Sequence, residues 1–478
     1  MRSPRFLRTL SHSLIAGRWL SWIAAAWIAS AAPARGTPIA SQANIPYSGI
    51  APGSIDMATG ELILVCQPDL RLDGPMPLSF GRYYGSMLAR EGFASGHLGP
   101  NWLGSYDWSL SVGAAGATVV TNRGEALQFQ PSPVGGWNLV SPTDQNYRLD
   151  FTDRWWRLTD PSRHRVYLFD GTSHLLSVIL DAHGNGLNLI YAGAQLMQVN
   201  DGSGRALSFE YDFTGKLTRV SDGTRGVNFS YTGGVLASVT DAAGGTTNYA
   251  YTGPAGSADL LQSASEPAGN TPLSWSYDAL GRVVTITDAE GHSSSCAYDT
   301  PSGNVWTDAL GHSWTYVHDS QSRLMTLLDP AGGTTTFSYD PLGRLATSTR
   351  PMGDATSFSY DAASGYLGSV TGGDGTVFSF SYSAHGVAGA TLYDLAAAHY
   401  PDGASESFAR DASGNLTDWT DRGGFHWTSS FNSRGEPLTL TNPAGGVTTR
   451  TYDGAGLMDT EMDNAGHTTS AARDRSGG

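Results

Sequence analysis

A unit of about twenty-one residues recurs down this chain, and it constrains the fold more than any other feature of the sequence. The unit reads aromatic-x-Tyr-Asp-x-x-Gly-x-Leu and is clearest at residues 275–283 and 337–345. With the Tyr position as an anchor, most steps are 20 to 22 residues. Units repeating at such a period cannot bury their apolar faces alone, so the sequence predicts one continuous stack. The anchors are Leu149, Phe169, Tyr191, Tyr211, Tyr231, Tyr251, Tyr277, Tyr298, His318, Tyr339, Tyr360, Tyr382, Arg410, Phe431, Tyr452 and Arg473.

The pattern within one unit predicts a β-hairpin. Residues 334–339 alternate β-branched or aromatic side chains with small polar ones, which is typical of a half-buried strand. Asp340 can accept a hydrogen bond from the backbone two residues on, and Gly343 can adopt the positive φ that closes a bulged turn. A second strand then returns over residues 344–348. Similar Asp-x-x-Gly turns recur between units, for example at residues 329–332.

Five units display the turn motif well enough for us to assign its residues a structural role. We predict that their Tyr, Asp and Gly residues shape the hairpins and carry no chemistry. These residues are Tyr211, Asp212, Gly215, Tyr277, Asp278, Gly281, Tyr339, Asp340, Gly343, Tyr360, Asp361, Tyr452, Asp453 and Gly456.

The number of units predicts how the array is shaped. About sixteen hairpins give about thirty-two strands, which at ~4.8 Å per strand would form a sheet ~150 Å wide. Strand twist accumulates, and an open sheet beyond about ten strands curls or splits. We therefore expect an all-β fold in which the hairpins coil into a spiral shell, with a β-rich cap before them.

Composition agrees with this fold and excludes one class of partner. The chain has 60 Gly, which a turn-rich fold needs, and 28 basic against 43 acidic residues, for a formal net charge of −15. Nucleic-acid binding depends on clustered cations that neutralise phosphates. The acidic balance, without a Lys- or Arg-rich run, therefore argues against a nucleic-acid partner.

Residues 1–34 have the pattern of a secretory signal peptide. Arg2, Arg5 and Arg8 lie in a basic leader, an apolar run follows over residues 19–32, and Ala34 follows Pro33 at a plausible cleavage site. Fourteen apolar residues are too few to span a bilayer core comfortably. We expect export, no membrane span after cleavage, and a secreted or cell-surface protein that is periplasmic if an outer membrane is present.

Two cysteines, Cys66 and Cys296, are too few for a disulfide framework in a chain of 478 residues. Export would permit one bridge between them. Two separate, small buried residues are the interpretation we favour.

Residues 37–129, which lack the repeat pattern, precede the repeats at residues 140–478. They contain Asp-x-x-Thr-Gly-Glu at 56–61, Pro-Leu-x-x-x-Arg-Tyr-Tyr at 77–84 and Leu-Gly-Pro-x-Trp at 98–102. This order resembles the domain of uncharacterised function that precedes the repeats of bacterial Rhs and YD-repeat proteins, and the repeats resemble that family's Tyr-Asp units. Some units depart from the pattern: the turn after His318 lacks Gly, and Arg410 and Arg473 replace the Tyr.

The resemblance implies a hollow β-cocoon that encloses a variable C-terminal segment, often a toxin. The sequence given ends within a turn, so we expect an incomplete shell whose partner is a C-terminal continuation or payload, encoded in the same or a split gene. Two alternatives remain. One is a surface module that binds glycans or a neighbouring cell surface. The other is a polymer hydrolase, which would need a convergent pair of carboxylates.

The search for reactive groups predicts no catalytic residue, no cofactor and no metal site. The twelve histidines are spread singly, and His183, His292, His312 and His467 fall at turns, where we expect them to be solvated. The turn aspartates lack the dense oxygen ligands of a calcium loop. Tryptophans could stack on sugars, but we favour the inner face of the shell for them. These are Trp155, Trp156, Trp306, Trp314, Trp419 and Trp427.

Overall fold

The computed structural model describes residues 50–51, 54–92, 96–133, 135–253 and 260–470, and this part of the chain contains strands and turns but no α-helix. The proposed signal peptide and Arg473 lie outside the described residues. No helix in the described part is long and apolar enough to cross a membrane.

The described residues up to 141, called here the N-terminal block, form four small antiparallel sheets. The strand orders are β1-β2, β3-β6-β7, β4-β5 and β11-β10-β9-β8. The bounds are β1 Ile50–Ala51, β2 Ile55–Asp56, β3 Ile63–Val65, β4 Leu70–Leu72, β5 Leu78–Phe80, β6 Arg82–Gly85, β7 Trp102–Gly104, β8 Ser109–Gly113, β9 Gly116–Val120, β10 Ala126–Pro131 and β11 Trp137–Ser141.

The repeats form one antiparallel sheet of 31 strands in which every strand pairs with its sequence neighbours. The all-β prediction and the predicted size of the sheet are confirmed. The bounds are β12 Arg148–Thr152, β13 Trp155–Asp160, β14 Arg165–Asp170, β15 Leu176–Leu180, β16 Gly186–Ala192, β17 Gln195–Asn200, β18 Ala206–Tyr211, β19 Leu217–Ser221, β20 Gly226–Thr232, β21 Val235–Thr240, β22 Thr246–Thr252, β23 Leu260–Ser265, β24 Leu273–Tyr277, β25 Val283–Asp288, β26 Ser293–Thr300, β27 Gly303–Thr307, β28 Ser313–His318, β29 Leu324–Leu328, β30 Thr334–Tyr339, β31 Leu345–Thr349, β32 Ala355–Tyr360, β33 Leu367–Thr371, β34 Val377–Val387, β35 Ala390–His399, β36 Ser405–Arg410, β37 Leu416–Thr420, β38 His426–Phe431, β39 Pro437–Thr441, β40 Val447–Tyr452, β41 Met458–Met462 and β42 Thr468–Ser470.

The ribbon has two edges with different turns. The Tyr-Asp turns lie on one edge, called here the motif edge, and the turns between units lie on the other, the linker edge. A repeating bulge at the Tyr position accompanies the motif turns, for example between Ser338 and Tyr339. Such bulges bend a strand and increase its local twist, so their repetition favours coiling of the whole ribbon.

The ribbon winds past itself. Strand β13 contacts β35, the twenty-second strand after it. At ~4.8 Å per strand, one revolution is roughly 105 Å around and roughly 34 Å across. We call β12–β33 the first revolution, β34–β42 the second, and the line where they meet the seam.

The seam joins the linker edge of the first revolution to the motif edge of the second. Arg157 donates to the carbonyl oxygen of Ala388 at 2.5 Å, and Asn185 donates to that of Arg434 at 2.9 Å. A small apolar cluster closes the gap beside them. In it Val166, 0% exposed, and Leu392, 1% exposed, pack with Val387. The predicted spiral is thus held by specific contacts as well as by twist.

The N-terminal block lies on the concave face of the first revolution. Its Trp108 ring lies 4.1 Å from that of Tyr167 on β14, while its Met57 carbonyl oxygen accepts a hydrogen bond from Asn304 on β27 at 2.7 Å. In a flat sheet these two strands would lie roughly 60 Å apart. A block of this length is only roughly 25 to 30 Å across. The wall must therefore curve around the block.

Candidate functional site

The Tyr-Asp motif residues shape the turn of their own hairpin and contact the hairpins on either side. Asp340 accepts hydrogen bonds through Oδ1 from the backbone N–H groups of Leu342 and Arg344, at 3.0 and 2.9 Å. Gly343 has a φ of 85°, and Gly281 a φ of 75°, as the turn interpretation predicts. These bonds satisfy the backbone of a tight turn that water would otherwise have to solvate.

In most motifs the tyrosine bonds to the preceding unit. The Tyr339 hydroxyl donates to the Leu324 carbonyl oxygen at 2.7 Å, and the Tyr360 hydroxyl donates to that of Leu345 at 2.9 Å. Backbone pairing between β29 and β30 stops at Thr326, so the Leu324 carbonyl lies beyond the ladder. The Tyr339 hydroxyl therefore supplies this carbonyl with the hydrogen-bond donor that a backbone N–H of β30 would have supplied within the ladder. The same bond is made by Tyr211, Tyr231, Tyr251, Tyr277, Tyr298, Tyr382 and Tyr452.

An arginine after the turn glycine completes the motif in several units. Arg344 forms an ion pair with Asp340 at 2.8 Å, and its guanidinium lies 4.2 Å from the ring centroid of Tyr360 in the next unit. Arg282 and Tyr298 repeat this geometry at 4.7 Å. The contact is a cation–π interaction. Sequence reasoning missed this role, although Gly-Arg-Leu or Gly-Arg-Val in the clearest units was an available signal.

The units that depart from the sequence motif keep its geometry. Ser322 occupies the glycine position after Asp319 with a φ of 62°. Arg410 replaces the tyrosine, and its Nη1 donates to the Leu395 carbonyl oxygen at 3.1 Å, fifteen residues back as in the tyrosine units. Both sequence departures are therefore accommodated without loss of the turn or of the link between units.

The sequence-predicted repeat residues spread along the motif edge and do not converge on one pocket. Each Tyr, Asp and Gly set lies at its own turn: β18–β19, β24–β25, β30–β31, β32–β33 and β40–β41. In the unit of Tyr360 and Asp361 the positive φ falls one residue later, at Gly365. The Thr214 hydroxyl and the Lys216 N–H hold the pKa of Asp212 below its ordinary value.

Two histidines come together at the seam, where the sequence suggested that histidines are isolated. His385 Nδ1 lies 2.7 Å from Asp394 Oδ2, and His164 Nδ1 lies 3.7 Å from Asp394 Oδ1. Arg410 Nε lies 3.6 Å from the same carboxylate. His183 is half-exposed at its turn, and its Nδ1–H donates to the Ser413 carbonyl oxygen across the seam at 3.1 Å.

The other turn histidines are exposed. His312 and His467 each lie 3.0 Å from the aspartate that starts their turn. At one such turn Asp288, Glu290 and His292 place a possible ligand atom each within 4.8 Å of one another. This is the one group of three such residues in the described part that could hold a metal ion. The equivalent turn at residues 308–312 has leucine in place of the glutamate.

Burial makes two glutamates of the N-terminal block titrate near neutrality. It raises the pKa of Glu61 to about 7 and that of Glu125 to about 7. Sequence gave no signal for either, because the burial comes from distant parts of the chain. Cys66 and Cys296 are both free thiols.

The tryptophans lie mostly on the concave face. Trp306 and Trp314 are 4.6 Å apart between ring centroids, and Trp419 and Trp427 stack at 5.7 Å with an interplanar angle of 18°. Trp156 is buried there with them in the first revolution, while Trp155 alternates to the opposite face. In the second revolution the stacked rings are only half-buried.

These features define a structural β-hairpin repeat protein. Residues 53–129 match a domain of unknown function, DUF6531, and residues 257–293, 323–351 and 339–377 match the RHS Repeat. The double-stranded DNA deaminase toxin A of Burkholderia cenocepacia (strain H111) is 24% identical over 295 residues, which cover 54% of this chain and 20% of the toxin. The chain is an Rhs/YD-repeat protein, and its wall is a structural Rhs-repeat shell.

Two solved structures align with most of this chain at low sequence identity. A crystal structure of TcdB2-TccC3 without its hypervariable C-terminal region aligns over 86% of this chain and 27% of its own, at 12% identity and a TM-score of 0.45. A crystal structure of TcdB2-TccC3-Cdc42 aligns over 96% of this chain and 29% of its own, at 13% identity and a TM-score of 0.46. The chain thus spans less than a third of each.

Proposed function

We propose that this chain is a non-enzymatic encapsulation module, the N-terminal part of an exported Rhs-type toxin carrier. The observation that supports it is the closure of the ribbon: the second revolution meets the first along the seam, and the concave face continues past the N-terminal block. A wall of this kind separates what lies inside it from solvent and proteases. The payload is a polypeptide that follows these repeats in the natural gene product.

The lining of the second revolution suits a polypeptide cargo. Phe408, Trp419 and Trp427 are cross-strand neighbours on the concave face, half-buried and stacked in sequence along β36–β38. Apolar rings bind apolar side chains of many sequences without requiring one shape. Such a surface fits a cargo that varies among carriers.

Protease protection tests this proposal. The natural gene product, including whatever follows codon 478, is digested in its wild-type form and with the seam opened by Val387→Asp. We expect the downstream segment to resist digestion in the wild type and to become sensitive in the variant. Val377→Asp, on an exposed part of the same strand, is the matched control. Equal digestion of the downstream segment in all three proteins would refute encapsulation, and so would a stop codon at that position with no repeat-like sequence downstream.

The stacked tryptophans favour one alternative function, a surface module that binds glycans. Aromatic side chains stack on sugar rings, and Trp427 ends the stacked row that Trp419 continues. Glycan-array binding that disappears in Trp419→Ala and Trp427→Ala variants would support this alternative. Encapsulation predicts no specific glycan signal.

A further inference from the structure

A cavity of about 110 Å³ lies between the N-terminal block and the concave wall of the first revolution. Aromatic side chains from both sides line it. The block contributes Phe80, Tyr106 and Trp108, and the wall contributes Tyr191, Phe209 and Tyr211. Neither part of the chain makes this cavity alone, because the Phe209 ring packs edge-on against Phe80 at 5.7 Å and against Tyr106 at 6.0 Å.

One carboxyl group reaches this aromatic cavity. Asp107 lines it, and its Oδ2 accepts a hydrogen bond from the Gly104 N–H at 2.7 Å. In the described part of the chain no arginine or lysine forms an ion pair with Asp107. Burial raises the pKa of this carboxyl group. The charge of His97 opposes that rise, and a cation bound in the cavity would favour the charged carboxylate further.

A histidine of the N-terminal block also lines the cavity. His97 Nδ1 lies 2.9 Å from the Gly215 carbonyl oxygen, so Nδ1 carries the proton and donates it. Its ring also packs edge-on against Tyr211, with centroids 4.9 Å apart. His97 therefore holds the motif turn of Gly215 beside the cavity, and we assign the recognition of a cation to the aromatic side chains and Asp107.

We propose that this cavity binds a small quaternary ammonium group. Aromatic faces attract such cations through their quadrupoles, and a nearby carboxylate adds charge complementarity. A cavity volume of about 110 Å³ has room for several waters, which is enough for one small headgroup. The aromatic lining lacks the several oxygen ligands that calcium or magnesium requires. A formal net charge of −15 attracts cations to the protein.

Isothermal titration calorimetry on the full chain tests the proposal with choline, tetramethylammonium and 3,3-dimethylbutan-1-ol, the uncharged isostere of choline. We expect both cations to bind and the isostere to bind roughly tenfold more weakly or worse. Asp107→Asn should weaken choline binding by roughly tenfold or more. Asp418→Asn, a substitution on a distant second-revolution strand, should leave binding unchanged.

The wild-type comparison stands even where the Asp107 variant does not fold, because it needs no substitution. The proposal is overturned by no heat of binding at roughly 10 mM choline, by equal affinity for the isostere, or by unchanged affinity in a folded Asp107→Asn protein. Trp108→Leu provides a second variant. It removes one cavity wall, and its fold can be checked by circular dichroism.

Discussion

The hydroxyl of Tyr339 donates a hydrogen bond to the carbonyl oxygen of Leu324, 2.7 Å away and one hairpin earlier in the chain. Leu324 lies just beyond the last backbone pair between β29 and β30, so its carbonyl has no ladder donor there. The motif tyrosine thus joins consecutive units at the point where their backbones diverge. Arg410 makes the equivalent bond with a guanidinium, so a donor other than a phenol can form this link.

Tyr339→Phe should destabilise the protein by about 1 kcal/mol, because it removes that donor and leaves a part-buried carbonyl unpaired. Urea unfolding of wild type and variant measures the difference. Tyr393→Phe is the matched control, since in the described part of the chain the Tyr393 hydroxyl forms no hydrogen bond, and it should change stability by less than about 0.5 kcal/mol. An equal loss of unfolding free energy in the two variants would contradict the role assigned to the Tyr339 hydroxyl.

Exchanging residues at the left-handed turn position should change stability in both directions. Gly343→Ala should cost about 1 to 2 kcal/mol, because an L-residue with a side chain is strained at a φ of 85°. Ser322→Gly should stabilise by about 1 kcal/mol, because it relieves the same strain at a φ of 62°. Thermal unfolding measures both.

A control for these turn variants is Gly454→Ala. Gly454 also lies in a motif turn, has open space around its Cα and does not have a positive φ. It should tolerate alanine. If Gly343→Ala were tolerated equally well, the strain argument would be wrong.

Val387→Asp should open the seam. Val387 is 6% exposed and packs with Val166 and Leu392, so an aspartate there would be a buried charge without a partner, at a cost of several kcal/mol. Small-angle X-ray scattering should show a larger radius of gyration while circular dichroism still shows β-structure. Val377 is 45% exposed in the same strand, and Val377→Asp should change neither measurement.

The two seam histidines should affect stability with opposite dependence on pH. Hydrogen bonding to Asp394 raises the pKa of His385 above its ordinary 6.5, whereas burial lowers the pKa of His164 below 6.5. The His385 contribution is therefore complete below pH 6.5 and is lost as pH rises through its folded-state pKa. The His164 contribution is complete above pH 6.5 and is lost as pH falls through its folded-state pKa.

Urea unfolding of His385→Asn and His164→Asn between about pH 5 and 8 separates the two effects. The free-energy difference between wild type and His385→Asn should shrink as pH rises above 6.5. As pH falls below 6.5, the free energy of unfolding of the wild type should decrease relative to that of His164→Asn. Parallel pH profiles for the two variants would contradict this assignment.

The local structure of this protein follows from short stretches of sequence. The hydrogen bonds that form the turn of Asp340 and Gly343 stay within the five residues 340–344, so the motif alone predicts the hairpin. Repetition of the hairpin then predicts an all-β ribbon too wide to remain flat. The same reasoning treated Ser322 and Arg410 as departures from the motif because their residue types differ. The structure requires only a left-handed backbone conformation at the first position and a hydrogen-bond donor at the second.

The place where the two revolutions meet could be learned only from the three-dimensional structure. The position of β13 against β35 depends on the small twist and bend at each of 22 successive strands. No short sequence pattern predicts the total rotation that these strands accumulate. The meeting of His164 and His385 at Asp394, the placement of the N-terminal block inside the curve, and the cavity beside Asp107 all follow from that total rotation. The hairpins and their stacking follow from the sequence because turn chemistry acts over a few residues. The contacts across the seam and between the N-terminal block and the concave wall depend on how the whole ribbon curves.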